Sequence, residues 1–372
     1  VYFVGNYVFR GCTSLRSVTF LHTAGFPEDF QPSSDWYGYH MFEGCTALED
    51  LTVPTYILRR IVGNNSFDNL KHLTTTAGDT FPRLLNMSAL ETVVINEGVR
   101  TMEYGTFQWD PTFSSNESHL TSVTLPESLT EIPGGAFCHC RALTSVKIGK
   151  NVTSIGAAAF GDTAENLVIE LSPENTSFTY KDGCLIEKAS GTLLLLKGNY
   201  VLPTDGSLKV ITGVFSGFDL TEILIPASVT TIESYAFSGC GNLKKFIVED
   251  GSLLTVIGDH AFERIPEIAK VPLAVASFFT KGTKELTVIG SGAFDTKFSG
   301  FDVCIERLIL GDEITSVGAG VLSGSKTIQY VKLGSGITSI GEKAFYVSSL
   351  TEIDLPEGLL TIGESAFEQC YS

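Results

Sequence analysis

Cys138-His139-Cys140 is the one place in this 372-residue chain where metal-ligating side chains crowd together. Zinc sites space their cysteines two to four apart and add a second ligand pair elsewhere. No second pair is evident, and no metal site is expected. The eight cysteines are Cys12, Cys45, Cys138, Cys140, Cys184, Cys240, Cys304 and Cys370. Five of them (12, 45, 140, 240 and 370) recur at one place in a repeat, which marks them as packing residues, small buried hydrophobes. Neighbouring coils of a repeat lie near the separation a disulfide allows, but most of these five are not in adjacent coils. The six histidines, His22, His40, His72, His119, His139 and His260, are scattered over different repeats. His-Glu-x-x-His, Gly-x-Ser-x-Gly, Gly-Lys-Ser/Thr and Gly-x-Gly-x-x-Gly are all missing from the sequence. Paired carboxylates such as Glu49-Asp50 and Glu249-Asp250 sit side by side, so on a strand they point to opposite faces and read as solvated charge. Catalytic residues, cofactors and metals are therefore all assigned as none. Asn-x-Ser/Thr occurs at Asn64, Asn86, Asn116, Asn151 and Asn175, against about two or three expected by chance.

Composition narrows the function classes further. The chain has 25 Lys+Arg against 42 Asp+Glu, a formal net charge of −17, and 43% apolar residues. That apolar share supports a large core. Such an acidic excess argues against nucleic acid as a partner, because phosphate binding needs Lys and Arg. The longest apolar stretches, near Val271–Phe279 and Leu193–Leu196, fall far short of the roughly 18 residues of a membrane span.

The elements that must position any site come from internal repetition. A Phe anchor recurs at Phe9, Phe42, Phe67, Phe107, Phe137, Phe160, Phe215, Phe237, Phe262, Phe294, Phe345 and Phe367, with Leu322 in its place once, making thirteen units. Five positions before the anchor the residue is always apolar. Four before it Gly stands in nine units, and one before it Ala stands in seven. After each anchor comes a short alternating segment, as in Leu120–Pro126, Leu143–Gly149, Leu220–Pro226, Ile328–Gly334 and Leu350–Pro356. Its period of two predicts a half-buried strand, and the Pro that often follows ends it. The Gly before the anchor is expected to permit a corner of unusual φ. A unit of about 22 residues cannot bury its apolar edge alone but can do so stacked on its neighbours. The prediction is a β-rich solenoid with a parallel sheet of short strands, one per repeat. With no sustained 3.6-residue period, the outer face should hold turns and little regular helix.

The repeated block Ile-Gly-x-x-Ala-Phe-x-x-Cys-x-x-Leu-x-x-Val-x-Leu-Pro resembles the BspA-type leucine-rich repeat of surface and secreted proteins from gut and oral bacteria and some parasitic protists. The resemblance covers nearly the whole chain. It implies a curved, right-handed leucine-rich-repeat array, a secreted or cell-surface location, and an adhesion or protein-binding role. No catalytic residue is fixed by the family pattern. Asn175–Leu196 resembles the hairpin that interrupts such arrays, with two apolar strands around Glu187–Gly191.

The domain expectation is a single solenoid over residues 1–372, with an inserted hairpin near 175–200. Intervals of 33, 25, 40 and 30 residues separate the first anchors. Loop insertions are expected near 21–39, 74–88, 108–119 and 265–285, and such loops map to one face and often recognise partners. Val1 lies inside a repeat and the chain stops just after an anchor, so a mature fragment with its signal sequence outside is expected.

The outward residues of the strands supply the candidate ligand surface. With Leu220, Ile223 and Ile225 inward, Glu222 and Leu224 face out, as do Lys245 and Ile247, Arg307 and Ile309, Tyr330 and Lys332. Leu224, Ile247, Ile309 and Tyr330 are expected to form an apolar stripe flanked by Lys245, Arg307 and Lys332. In the first half the equivalent residues are mostly small or polar, for example Ser17, Thr19, Asp50, Thr52, Thr92, Ser122, Thr124 and Ser145. An apolar patch rimmed by charge is the usual look of an interaction surface. The expected function is a non-catalytic extracellular recognition module that binds a protein or glycan. The alternatives are a display scaffold for another domain or an accessory domain of an enzyme acting on surface polymers.

Overall fold

The computed structural model describes residues 4–21, 38–63, 67–84, 87–108, 118–198, 200–249, 252–262, 268–273, 276, 284–295 and 305–371. The chain divides into two units, Val1–Ala189 with Leu194–Asn199, and Ser190–Leu193 with Tyr200–Ser372. Both are parallel β-solenoids, and among the described residues the helix content is one seven-residue α-helix, Thr55–Ile61, a 3-10 turn at Gly213–Phe215, and 3-10 conformation at Leu273 and Ala276.

In the first unit seven short strands pair in chain order: Ser17–Thr19, Asp50–Val53, His72–Thr75, Thr92–Val94, Ser122–Thr124, Ser145–Ile148 and Val168–Leu171. All pairs are parallel. The register brings Val18, Leu51, Leu73, Val93, Val123, Val146 and Ile169 into one inward column. This column is the strand side of the core, and all of it but Val18 is buried. The second unit carries the same element as Glu222–Ile225 paired with Lys245–Val248, and as a five-stranded sheet of Ile268–Pro272, Glu285–Ile289, Arg307–Leu310, Tyr330–Lys332 and Glu352–Asp354. Strand Ile268–Pro272 falls inside the interval 265–285, so part of the expected loop is a rung of the sheet. The interval 74–88 likewise holds the end of strand His72–Thr75 and the short strand Thr80–Phe81, paired with Thr101–Met102, so it too is part of a coil and not a loop. Of the other intervals, residues 22–37, 85–86 and 109–117 lie outside the described residues.

A second, shorter strand accompanies the first. Pairs such as Glu131–Ile132 with Ser154–Ile155, and the series Gly292–Phe294, Ile314–Val317, Ser339–Ile340 and Thr361–Ile362, form it just before the anchor. The anchor expected at Phe294 needs correction: Phe294 pairs with Val317, in the column of Ile340 and Ile362, and so occupies the apolar strand position five residues before an anchor. Beyond it the chain makes a corner built around two left-handed residues, two before and two after the anchor. These include Tyr235, His260, Lys343 and Ser365 before it, and His139, Asp162, Val347 and Gln369 after it, with φ between 48° and 62°. The turn aims N–H groups along the array. Gly320, Leu322 and Gly324 donate to Glu342, Ala344 and Tyr346 of the next coil at 2.8 to 2.9 Å. Backbone groups at the corner thus find partners although no regular element is present.

The anchors stack inside. Ring centroids lie 5.3 Å apart for Phe107 and Phe137, 5.4 Å for Phe137 and Phe160, 5.4 Å for Phe237 and Phe262, and 5.0 Å for Phe345 and Phe367, with interplanar angles of 4° to 16°. The role expected for the preceding Gly holds at Gly38, with φ 74°, but needs correction elsewhere. Gly156, Gly258, Gly341 and Gly363 do not carry positive φ; a Cβ on each would collide with the backbone of the neighbouring coil, at Gly134, Ser234, Ala319 and Glu342 respectively. At these four the glycine serves close approach of two backbones rather than an unusual dihedral.

The interruption near 175–200 is a double turn. Phe178–Lys181 runs antiparallel to Cys184–Glu187, and Asp182 and Gly183, with φ 51° and 82°, make the tight connection. The chain then turns at Lys188–Gly191 into strand Thr192–Leu196, through which the division between the units passes.

Candidate functional site

The strand face of the second unit holds the predicted residues, and alternation alone sets their direction. Ile223, Phe246, Leu308 and Val331 are buried, leaving the residues on either side to face outward. Glu222, Arg307 and Lys332 are exposed, Leu224 is 43% exposed, and Ile247, Ile309 and Tyr330 are half-buried. Lys245 pairs with Glu222 in the ladder, but its side chain lies outside the described residues.

Register sorts these side chains into two rows. One row carries Glu285, Arg307, Tyr330 and Glu352, and the other Thr287, Ile309, Lys332 and Asp354. Leu224 and Ile247 are direct neighbours in the separate pair of strands. The four apolar candidates therefore do not fall in one row. Ile309 stands between Thr287 and Lys332, and Tyr330 belongs to the row of Arg307.

Tyr330 is held on two sides, and the cation above it is itself fixed. The Arg307 guanidinium lies 4.0 Å above its ring, its hydroxyl donates to Asp354 Oδ2 at 2.7 Å, and Arg307 Nε donates to Glu285 Oε2 at 3.1 Å. The hydrogen bond to Asp354 holds the Tyr330 phenol above its ordinary pKa. Beside this chain Lys284 Nζ pairs with Glu306 Oε1 at 2.8 Å. The hydrogen bond and charge of Glu306 push the ammonium pKa up. The result is a fixed cation–aromatic–acid array with the half-buried Ile309 two residues along the Arg307 strand, which can offer directed hydrogen bonds and charge. Glu285 was missed by sequence reasoning. Its offset of 22 residues from Arg307, the repeat length, is the signal that marks it.

The equivalent face of the first unit is different. Its rows run Ser17, Asp50, His72, Thr92, Ser122, Ser145 and Thr19, Thr52, Thr74, Val94, Thr124, and His72 Nδ1 lies 2.8 Å from Thr92 Oγ1. A cavity of about 430 Å³ in the same unit is lined by Thr55, Tyr56, Arg59, Gly78, Asp79, Thr80 and Gly98. None of the predicted residues lines it.

The other chemistry-bearing residues serve the repeat. Cys45, Cys140, Cys240 and Cys370 each donate their thiol to the carbonyl of the preceding anchor, at Phe9, Phe107, Phe215 and Phe345, over 3.0 to 3.2 Å. Burial pushes Cys140 up to about 12 and Cys240 up to about 11, so neither is a thiolate near neutral pH. His139 lies at the surface with Nδ1 2.7 Å from Asp162 Oδ2, and Arg141 donates to the same oxygen through Nη2 at 2.6 Å and Nε at 3.0 Å. Burial acts to raise the Asp162 carboxyl, but the bonds from Arg141 and His139 outweigh it and hold it below the usual range. Among the described residues no three His, Cys, Asp or Glu side chains gather as a metal set. Cys304 and the sequons at Asn64, Asn86 and Asn116 lie outside those residues. Asn151 is exposed. Asn175 is buried and bonded on both ends of its amide: Nδ2 donates to Gly149 O and Val152 O, and Oδ1 accepts from the N–H groups of Ser177 and Phe178.

Among the described residues no helix is long and apolar enough to cross a membrane. No curated protein matches the sequence. Among solved structures, a leucine rich cell surface protein from Faecalibacterium prausnitzii is 23% identical, with 98% of this chain and 77% of that one covered and a TM-score of 0.34. The pneumococcal vaccine antigen PcpA is 16% identical, covering 96% and 72% with a TM-score of 0.38. A leucine-rich repeat protein from Bacteroides ovatus is 18% identical, covering 78% and 80% with a TM-score of 0.39. The BspA type Leucine rich repeat region matches in six copies, over residues 1–113, 110–182, 209–299 and 287–372. With repeat matches along nearly all its length, this chain belongs to the BspA-type leucine-rich repeat family.

Proposed function

We propose that the chain is a non-catalytic recognition module, secreted or held at a cell surface, and that the strand face of the second unit takes a protein partner. The carrying observation is the held side chain of Tyr330, stacked under Arg307 and bonded to Asp354, in the same unit as the exposed Leu224. Restrained aromatic and guanidinium groups lose little entropy on binding, which is why they dominate interface energetics. Glu222 and Lys332 supply the polar rim, and Ile247 and Ile309 supply apolar area. A protein fits this mixture of aliphatic and charged groups better than a glycan does.

The test is binding of the whole chain to arrayed extracellular matrix and cell-surface proteins, with Leu224→Asp and Tyr330→Ala made separately. Saturable binding that weakens about tenfold in each variant supports the reading, since a central contact is worth 1–2 kcal/mol or more. Unchanged binding by both folded variants discards this face. A response to glycans alone would replace the protein partner.

A further inference from the structure

Cys12 and Cys45 stand three residues after successive anchors, Phe9 and Phe42, and the offset is the same for both pairs: 42 − 9 and 45 − 12 are each 33. The two coils are tightly in register here. Phe9 and Phe42 stack at 5.3 Å and 7°. Tyr7, Phe9 and Gly11 donate their N–H groups to Tyr39, Met41 and Glu43 at 2.8 to 3.0 Å. A Cβ placed on Gly44 would sit 3.5 Å from the Cα of Gly11, and these are the residues immediately before the two cysteines. The Phe9 carbonyl accepts from both the Cys12 N–H, at 3.1 Å, and the Cys45 thiol, at 3.0 Å. One oxygen thus gathers the backbone of one cysteine and the sulfur of the other. Adjacent rungs are about 4.8 Å apart, inside the Cα separation a disulfide spans. Cys12 is exposed and Cys45 buried.

We propose that Cys12 and Cys45 are an oxidative cross-linking site, at which a low-molecular-weight disulfide converts the two thiols into a covalent link between neighbouring coils. The Cys12 thiolate attacks one sulfur of the small disulfide. The reagent S–S bond breaks, one reagent thiolate leaves, and Cys12 carries the mixed disulfide. Cys45 then releases its proton to solvent, gives up its bond to Phe9 O, and attacks the Cys12 sulfur. The second reagent thiolate leaves. Two protein thiols lose two electrons, and the small disulfide gains them to become two thiols. Burial pushes the Cys45 thiol up, so the second displacement is the slow one and quickens as pH rises. At the other repeat positions of this kind the neighbouring coil offers no second cysteine: Phe218 precedes Cys240, and Ser348 precedes Cys370. The link would close a loop from Cys12 to Cys45 and keep the two coils together when the rest of the first unit unfolds.

The whole chain, folded and fully reduced, is incubated with oxidised glutathione at mildly alkaline pH, quenched with acid and digested without reduction. The expected product is a Cys12 peptide joined to a Cys45 peptide, with a mass about 2 Da below the sum of the two thiol peptides. Cys12→Ser, an exposed change that leaves the core intact, should abolish the link and leave Cys45 as a thiol. A glutathione adduct persisting on Cys12 beside an unmodified Cys45, a Cys12 link to a second copy of the chain, or no reaction at either cysteine would each overturn the proposal.

Discussion

Asn175 shows how a residue that advertises one chemistry in sequence can serve another in the fold. As part of Asn-x-Ser/Thr it reads as a glycan acceptor. In the structure its amide is buried and makes four hydrogen bonds, closing the coil of Gly149 and Val152 and starting the strand Phe178–Lys181. Asn175→Ala would remove the partner of the Val152 carbonyl and of the Ser177 and Phe178 N–H groups, and leave the Gly149 carbonyl with only the long bond from the Val152 N–H, at 3.4 Å. A loss of about 2–4 kcal/mol is expected, because buried groups left unpaired carry their full desolvation penalty. It should be read as a lower urea midpoint, and a shift below about 0.5 kcal/mol would show that water replaces the amide without penalty. Asp162 gives a weaker, pH-dependent prediction. Its folded pKa is depressed, so its contribution is present above the ordinary carboxylate pKa and is lost as pH falls through the lower, folded value. Arg141→Ala should therefore destabilise the chain modestly near neutral pH, by less than about 1 kcal/mol because the pair is largely solvent-screened. The difference from the parent should vanish in acid. A gap that stays constant from neutral pH down to acid would remove Asp162 as its cause.

At the scale of the element, the glycine before the anchor and the left-handed corner separate two reasons for conserving space in a coil. Gly341 needs room, since a Cβ there would strike the Ala319 and Gly318 backbone, whereas Gly217, at φ 76°, has nothing within 4 Å and needs only its dihedral. Gly217→Ala is expected to destabilise by about 1 kcal/mol, the usual strain of a left-handed residue. Gly341→Ala should be worse by at least about 2 kcal/mol, since neither coil can withdraw from a paired ladder. Thermal melts of the two variants compare them directly, and equal losses would mean that the coils slide apart easily. This contrast also marks what the sequence makes legible. Anchor, strand and stacking are readable because Phe, Ala and the alternating segment recur in one register and each demands a specific neighbour. The left-handed corner is legible only where Gly stands two after the anchor, as at Gly11, Gly44, Gly217, Gly239 and Gly324; elsewhere the residues holding it are as different as Tyr235, His260, Lys343 and Val347. There the dihedral is imposed by the ladder of bonds to the next coil rather than by residue preference. The second short strand, two residues long in Glu131–Ile132, is likewise below the length at which periodicity is visible. For the candidate face, alternation identifies the outward residues. Their sorting into rows depends on how many rungs lie between Ile247 and Ile309, and the rung Ile268–Pro272 sits in an interval that reads as loop.

At the scale of the whole molecule, the paired strands of each unit join a coil to its neighbours. Stability in such an array is a sum of coil terms and nearest-neighbour terms, so damage should stay local. Phe137 is fully buried and stacks on both Phe107 and Phe160. Phe137→Ala removes both ring contacts and leaves a cavity, for an expected loss of about 3–5 kcal/mol. In a globular core that loss would be felt everywhere. Here amide exchange should quicken in the coils of Phe107, Phe137 and Phe160, including strands Ser122–Thr124 and Ser145–Ile148, while strands Arg307–Leu310 and Tyr330–Lys332 keep their protection. The same variant should retain any partner binding that Tyr330→Ala weakens, because the strand pairing and ring contacts that position Tyr330 lie within the second unit. A uniform fall in protection along the chain would mean that folding is cooperative over far more than neighbouring coils. The face around Tyr330 could then not be treated as independent of the first unit's core.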